Sequence, residues 1–253
     1  MFDIERYKTL RLNGVHYDYV GNLEYLCNSF LPTADDFYAA EELINNGHST
    51  DDYKGFAESI LINTDRKNGT VFAITGNIGS GKSTFIHLLF ENNMLGSDTA
   101  LVLEDIYKKV FFDDVDKIKV AYSYAKSFVK KKILDYCNSN KNFVFEFVPS
   151  NSEKIEILDA LKSIGYRIVV FFIKTDDVNI NVSRVKNRVK NGADYVSEAK
   201  VRSRESLTND KIDRLLSCSD EFYCYDSNDG VFLLFSYKIS GEEMITVNEE
   251  KPV

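Results

Sequence analysis

The chain has 253 residues, 44% of them hydrophobic and 28% charged, with a formal net charge of −8. That length suits one sizeable domain with an appendage, and the acidic balance argues against a broad electrostatic surface for nucleic acid or anionic lipid. Four cysteines, Cys27, Cys137, Cys218 and Cys224, lack the spacing of a metal site and the density of a disulfide framework. There is also no signal-peptide pattern and no apolar run of membrane-spanning length, so free thiols, no membrane and a cytoplasmic location are expected.

Residues 1–68 show no clear alternating sheet pattern. Asp35-Asp36 and Asp51-Asp52 precede helix-compatible segments at 37–45 and 53–62, with acidic residues well placed for helix starts, and a helical N-terminal extension over 1–68 follows. Its expected role is packing, with a lid, an autoinhibitory cap or a docking surface for another protein as the functional alternatives. From 69 to 253 the pattern changes to apolar strand-like runs alternating with amphipathic helical ones, the signature of an α/β fold whose parallel sheet is sandwiched by helices. Strands are expected at 70–75, 99–104, 142–148, 167–173 and 221–225. Ile118, Tyr122, Ala125, Val129, Ile133 and Tyr136 recur at helical spacing, and further helices are expected at 152–164, 177–190 and 197–216, the first closing at Gly165. The runs 231–238 and 243–247 suggest a C-terminal β-hairpin or edge strands around Ser240-Gly241.

Between the first of these strands and the helix that follows it lies Gly76-Asn77-Ile78-Gly79-Ser80-Gly81-Lys82-Ser83-Thr84, which satisfies the whole G-x-x-x-x-G-K-[S/T] phosphate-loop (P-loop) pattern in its required strand–loop–helix setting. Glycines let successive backbone N–H groups turn toward phosphates, and the new helix adds its positive end. Lys82, read as a solvated loop lysine, bridges the outer phosphates, and Ser83 is the expected Mg²⁺ ligand. An Asn-Lys-x-Asp guanine-reading loop and a Ser-Gly-Gly signature helix are both absent from the sequence, which disfavours a GTPase and an ABC ATPase.

Two further features suit phosphoryl transfer. The strands at 99–104 and 142–148 run into carboxylates at Glu104-Asp105 and at Glu146, and the C-terminal ends of parallel strands line the ligand crevice. Asp105 is the candidate general base and Glu146 a candidate metal or substrate ligand. Arg184, Arg188, Arg202 and Arg204 lie on two successive helices broken at Gly192-Ala193, as a closing, charge-neutralising lid would require. Arg188 and Arg202, which flank the break, are the candidates to meet the transferred phosphoryl group.

These blocks together resemble the zeta-toxin-like P-loop kinases. The resemblance is carried by Gly76 to Thr84, by Val102 to Lys108, by Phe145 to Ser150, and above all by Asn181 to Arg204, which is similar to the family pattern R-V-x-x-R-V-x-x-G-G-H-D-V-P-E-x-x-I-R-x-R. Cys218 to Asn228 is similar to its A-D-E-x-x-x-Y-D-N-S strand and adenine-side loop, and the whole covers about 70–247. It implies an ATP- and Mg²⁺-dependent phosphotransferase acting on a small-molecule hydroxyl, with a nucleotide-sugar such as UDP-N-acetylglucosamine as the best-known acceptor. Arg184 and Arg204 would then sit on the substrate side, Asn228 at the nucleotide, and an antitoxin or regulatory protein would be the partner. A nucleotide-gated binding module and a polynucleotide 5′-hydroxyl kinase are the alternatives. Where the family has Gly-Gly-His-Asp-Val, this chain has Gly192-Ala193-Asp194-Tyr195-Val196, so any role of that histidine is lost or replaced.

Overall fold

The computed structural model describes residues 8–11, 52–104, 118–150, 152–190, 195–228, 231–239 and 241–247. The strands are β1 (Thr9–Arg11), β2 (Thr70–Gly76), β3 (Ala100–Leu103), β4 (Phe143–Phe147), β5 (Arg167–Lys174), β6 (Glu221–Asn228), β7 (Val231–Ile239) and β8 (Ile245–Thr246). The helices are α1 (Tyr53–Asn63), α2 (Lys82–Glu91), α3 (Ile118–Asn138), α4 (Glu153–Ser163), α5 (Val178–Lys190), α6 (Glu198–Asn209) and α7 (Ile212–Cys218). One sheet runs β1-β7-β6-β5-β2-β4-β3, with β8 added to β7. From β6 to β3 every pairing is parallel, while β7 is antiparallel to β6, β1 and β8.

The parallel strands are apolar on both faces because both faces are covered. Along β2, Val71 and Ala73 enter one core while Phe72 and Ile74 face a second. β4 divides in the same way, with Phe143, Phe145 and Phe147 on the first side and Val144 on the second. Tyr53, Phe56, Ala57 and Ile60 of α1 and the buried faces of α3, α4 and α7 complete the first core, whereas Phe85, Ile86, Leu88 and Leu89 of α2 fill the second. Alternation therefore puts Glu146 on the α2 face of the sheet, beside the start of that helix.

β2 lies between β4 and β5, so the chain moves to one side of it for β3 and β4 and then to the other for β5 and β6. The end of β2 is thus a topological switch point, where open α/β sheets leave a crevice for ligands.

Two expectations need correction. The segment 197–216 is not one helix: α6 ends at Asn209, with Asp210 as its cap, and α7 starts at Ile212. Val201 is committed to a small third cluster, whereas Leu215 and Cys218 belong to the first core, and a straight helix does not serve both. The N-terminal region also contributes a strand, β1, paired along Thr9 to Arg11 with Leu233 to Val231, and it buries Leu10 in the second core. The expected helix at 37–45 lies outside the described residues. The one at 53–62 is α1, opened by Asp52, whose side chain accepts from the Gly55 N–H at 2.7 Å. The C-terminal runs form the hairpin β7–β8.

Candidate active site

The loop 77–81 joins the end of β2 to the start of α2, and its two tightest points explain its glycines. Gly76 has φ +146, and a Cβ there would fall 2.1 Å from the Ile173 carbonyl oxygen of neighbouring β5. Gly79 has φ +82, and a Cβ there would stand 2.7 Å from the Asn181 carbonyl oxygen of α5. Both need left-handed backbone and the absence of a side chain. Gly81 caps α2 with no side-chain hydrogen bond.

Lys82 is not the solvated lysine that the sequence suggests, since its side chain is only 7% exposed. It opens α2, and its Nζ turns back under the loop to donate to the carbonyls of Gly76 at 3.3 Å and Asn77 at 3.0 Å. The same nitrogen stands 3.9 Å from Glu146 Oε1. The next residue, Ser83, donates from Oγ to both Glu146 oxygens at 3.3 and 3.1 Å. The register that pairs Ile74 with Glu146 brings this carboxylate level with the last turn of β2. An ammonium, a hydroxyl and a carboxylate thus meet at the mouth of the loop, and Ser83 and Glu146 supply the hard oxygen donors that suit Mg²⁺.

Around the loop, Arg184 of α5 is half-buried and anchors itself to loop and sheet together. Its Nη1 reaches the carbonyls of Gly79 and Ser80 at 3.5 and 3.4 Å and Ser227 Oγ at 3.0 Å, while Nη2 donates to the Ser227 carbonyl at 3.0 Å. Asn77 accepts from the Ile78 N–H through Oδ1 at 2.8 Å and donates from Nδ2 to the Val201 carbonyl of α6 at 3.3 Å. Asn228, at the end of β6, donates to Asp176 at 3.2 Å beyond the end of β5. Arg204 donates to the Ser150 hydroxyl just after β4.

The other two arginines are exposed. Arg202 donates to Glu198 at 3.0 and 2.7 Å and to Asn179 at 2.7 Å, and Arg188 projects from the last turn of α5. Hydrogen bonds from Lys186 and then Arg202 hold the Glu198 carboxyl below the usual glutamate range, and the Asn179 backbone N–H does the same for Asp177. Thr84 is half-buried on the first turn of α2. Asp105 and the Gly192-Ala193 break, with Asp194, lie outside the described residues.

The sequence reasoning missed the partners that immobilise the arginines. Ser227 stands beside Asn228 in a block already singled out, but only the packing of α5 over the loop reveals its pairing with Arg184. It also missed the Lys154–Glu104 pair, at 2.7 Å, which ties α4 to the end of β3 on the sheet face opposite Glu146.

A family model described as Zeta toxin matches residues 57–218, from within α1 to the end of α7. The chain belongs to the zeta toxin family. The fold is likewise similar to that of solved structures. One, AvrRxo1-ORF1:AvrRxo1-ORF2 with sulphate ions, has 18% identity and a TM-score of 0.55, covering 95% of this chain and 78% of that one. The same pair with ATP has 16% identity and a TM-score of 0.52, covering 94% and 77%. A third, from the PezAT chromosomal toxin–antitoxin system of Streptococcus pneumoniae, has 14% identity and a TM-score of 0.53, covering 77% and 79%. No curated protein matches the chain. This member of the zeta toxin family therefore has the P-loop α/β fold expected from its sequence, and its family match stops ten residues short of Asn228.

Proposed function

We propose that the protein is an ATP- and Mg²⁺-dependent kinase that transfers a phosphoryl group to a hydroxyl of a small molecule, with nucleotide-sugars as the first acceptors to test. The observation that carries this reading is the convergence of Lys82 and Ser83 on the Glu146 carboxylate at 3.1–3.9 Å, directly beneath the phosphate loop. A motor or a switch needs the same loop, so family membership adds the choice of phosphotransferase.

In this mechanism the loop from Gly76 to Thr84 wraps the phosphates with the amides that Asn77 does not engage, and Lys82 bridges the outer two. Ser83 and Glu146 would hold Mg²⁺, which when bound would supply charge neutralisation for the phosphates. Asn228 borders the adenine. Asp105 accepts the proton of the acceptor hydroxyl as its oxygen bonds to the γ-phosphorus and the bond to the ADP oxygen breaks. Arg184 and Arg204, already fixed beside the loop and beside Ser150, position the phosphates and the acceptor. Arg188 and Arg202, free of loop contacts, are the arginines assigned to the charge that develops in transfer. The similar structures described as two-protein complexes and as a toxin–antitoxin system support an antitoxin or regulatory protein as partner.

The test is incubation with γ-labelled ATP, Mg²⁺ and a metabolite extract containing UDP-N-acetylglucosamine, followed by mass identification of the labelled product. A phosphorylated small molecule is expected. Label that appears only as inorganic phosphate, or only on RNA 5′ ends, overturns the assignment.

A further inference from the structure

The tip of the phosphate loop is built into the helices that carry the arginines. Ile78 packs against Val182, Val185 and Val201, which form a hydrophobic cluster separate from the two cores that sandwich the sheet. Asn77 donates to the Val201 carbonyl of α6. Arg184 of α5 holds the carbonyls of Gly79 and Ser80. At Gly79 the α5 backbone comes so close that no methyl fits between them. An apolar plug, an amide bridge, a guanidinium fork and a backbone contact thus join one short loop to one helix pair.

Elsewhere the pair is tied to the sheet by side-chain links from Arg184 to Ser227 and from Arg204 to Ser150, and its own burial is slight. Only Asn181, Val182 and Val185 are buried on α5, and only Val201 and Thr208 on α6. Helices with so few buried contacts open readily, and an element that leans on a ligand-binding loop inherits that loop's order. Ile78 and Asn77 are unsuited to touching phosphate themselves, because one is an alkyl group and the other spends both ends of its amide on backbone partners.

We infer that Ile78 and Asn77 are positioning residues that staple α5 and α6 to the phosphate loop, so that occupancy of the loop by a nucleotide orders the helix pair and sets Arg188 and Arg202 for catalysis beside the already anchored Arg184 and Arg204. The pair is then a wall of the nucleotide site rather than a freely swinging lid. The kinetic part of this inference rests on the kinase reading above; the mechanical part does not.

Hydrogen exchange of the full chain, with and without MgATP, tests the staple together with steady-state kinetics. Ile78→Ala should raise exchange across 178–209 by about tenfold without nucleotide while leaving α4 at the wild-type rate. MgATP should slow exchange over the same span in the wild type. Turnover should fall by about tenfold or more with the KM for ATP within about threefold, because an alanine at 78 keeps every backbone amide of the loop. Ile78→Val should restore both readouts. Val201→Ala, which removes the same contact from the α6 side, should reproduce the exchange pattern, and the double variant should be no worse than about threefold beyond either single one. Wild-type exchange over 178–209 in both Ile78→Ala and Val201→Ala overturns the inference, as does a rise spread equally over the whole chain. Failure of the wild type to bind MgATP overturns the kinase reading instead, while the exchange measured without nucleotide still decides the staple.

Discussion

Replacing Lys82 by methionine keeps the length of the side chain and deletes its charge. In the folded protein this ammonium contacts the carbonyls of Gly76 and Asn77 and stands 3.9 Å from the Glu146 carboxylate, in a setting that leaves the lysine 7% exposed. Unit charges about 4 Å apart interact by about 4 kcal/mol at an effective dielectric of about 20. A phosphoryl oxygen at a similar distance would lose stabilisation of that order, which corresponds to about a thousandfold in rate. Stability should change much less. Two hydrogen bonds from a charged donor, worth about 1.5–3 kcal/mol each, disappear. Their loss is offset by the several kcal/mol that withdrawing an ammonium from water costs. The melting temperature should therefore move by no more than about 5 °C. The assay is ADP production from saturating ATP with acceptor present, paired with thermal melts of both proteins. A variant that melts like the wild type and turns over within tenfold of it would refute both the role of Lys82 and the electrostatic argument.

Further outcomes are expected at other positions. Single alanine variants of Arg184, Arg188, Arg202 and Arg204 should include at least one with turnover reduced on the order of a thousandfold, and Arg184→Ala should also raise the KM for ATP because it touches the loop; all four within threefold of wild type would remove the arginines from catalysis. Gly79→Ala should destabilise the fold by about 1–3 kcal/mol and weaken ATP binding, measured by melting and calorimetry, since φ +82 and the Asn181 carbonyl leave no place for a methyl; unchanged ATP affinity would count against the cradle. Burial pushes the thiols of Cys137, Cys218 and Cys224 up to about 12, so at pH 8 the native protein should resist iodoacetamide at these three sites until unfolded, as mass spectrometry would show. Because these pKa values are raised on folding, their contribution is fully present below the ordinary thiol pKa of 9.0 and is lost as pH climbs toward 12; denaturant midpoints should fall over that range, and a rise there would contradict the sign.

The strands from Thr70 to Asn228 were legible because a sheet covered on both faces demands unbroken apolar runs, and the loop was legible because its chemistry fixes residue types at fixed spacing. The depth of Lys82 was not, since a charged residue beside glycines looks solvated until its ammonium is seen to have carbonyls to turn toward. At the break at Asp210-Lys211 neither glycine nor proline occurs, and the short polar run Thr208-Asn209-Asp210 is compatible with a continuing helix; the break is imposed by Val201 and Leu215 belonging to different clusters. Three residues of β1 are too few for an alternation to register, and their partner strand lies near the far end of the sequence. The same limit hides the Arg184–Ser227 pair, which depends on how a helix lies across a loop.

The outer edge of β7 is sealed in two pieces, by β1 over Val231 to Leu233 and by β8 at Ser236 and Tyr237, with Leu234 donating to the Lys8 carbonyl and Val247 to that of Phe235 between them. Exposed strand edges recruit other chains, and this one is closed by residues from opposite ends of the sequence. On the ribosome, Thr9 to Arg11 emerge long before β7 exists and must wait unpaired until all the parallel strands have been made. The sheet is consequently sealed last at the strand that both flanks of the chain share, and the interval before sealing is when a newly made molecule is most open to pairing with its neighbours.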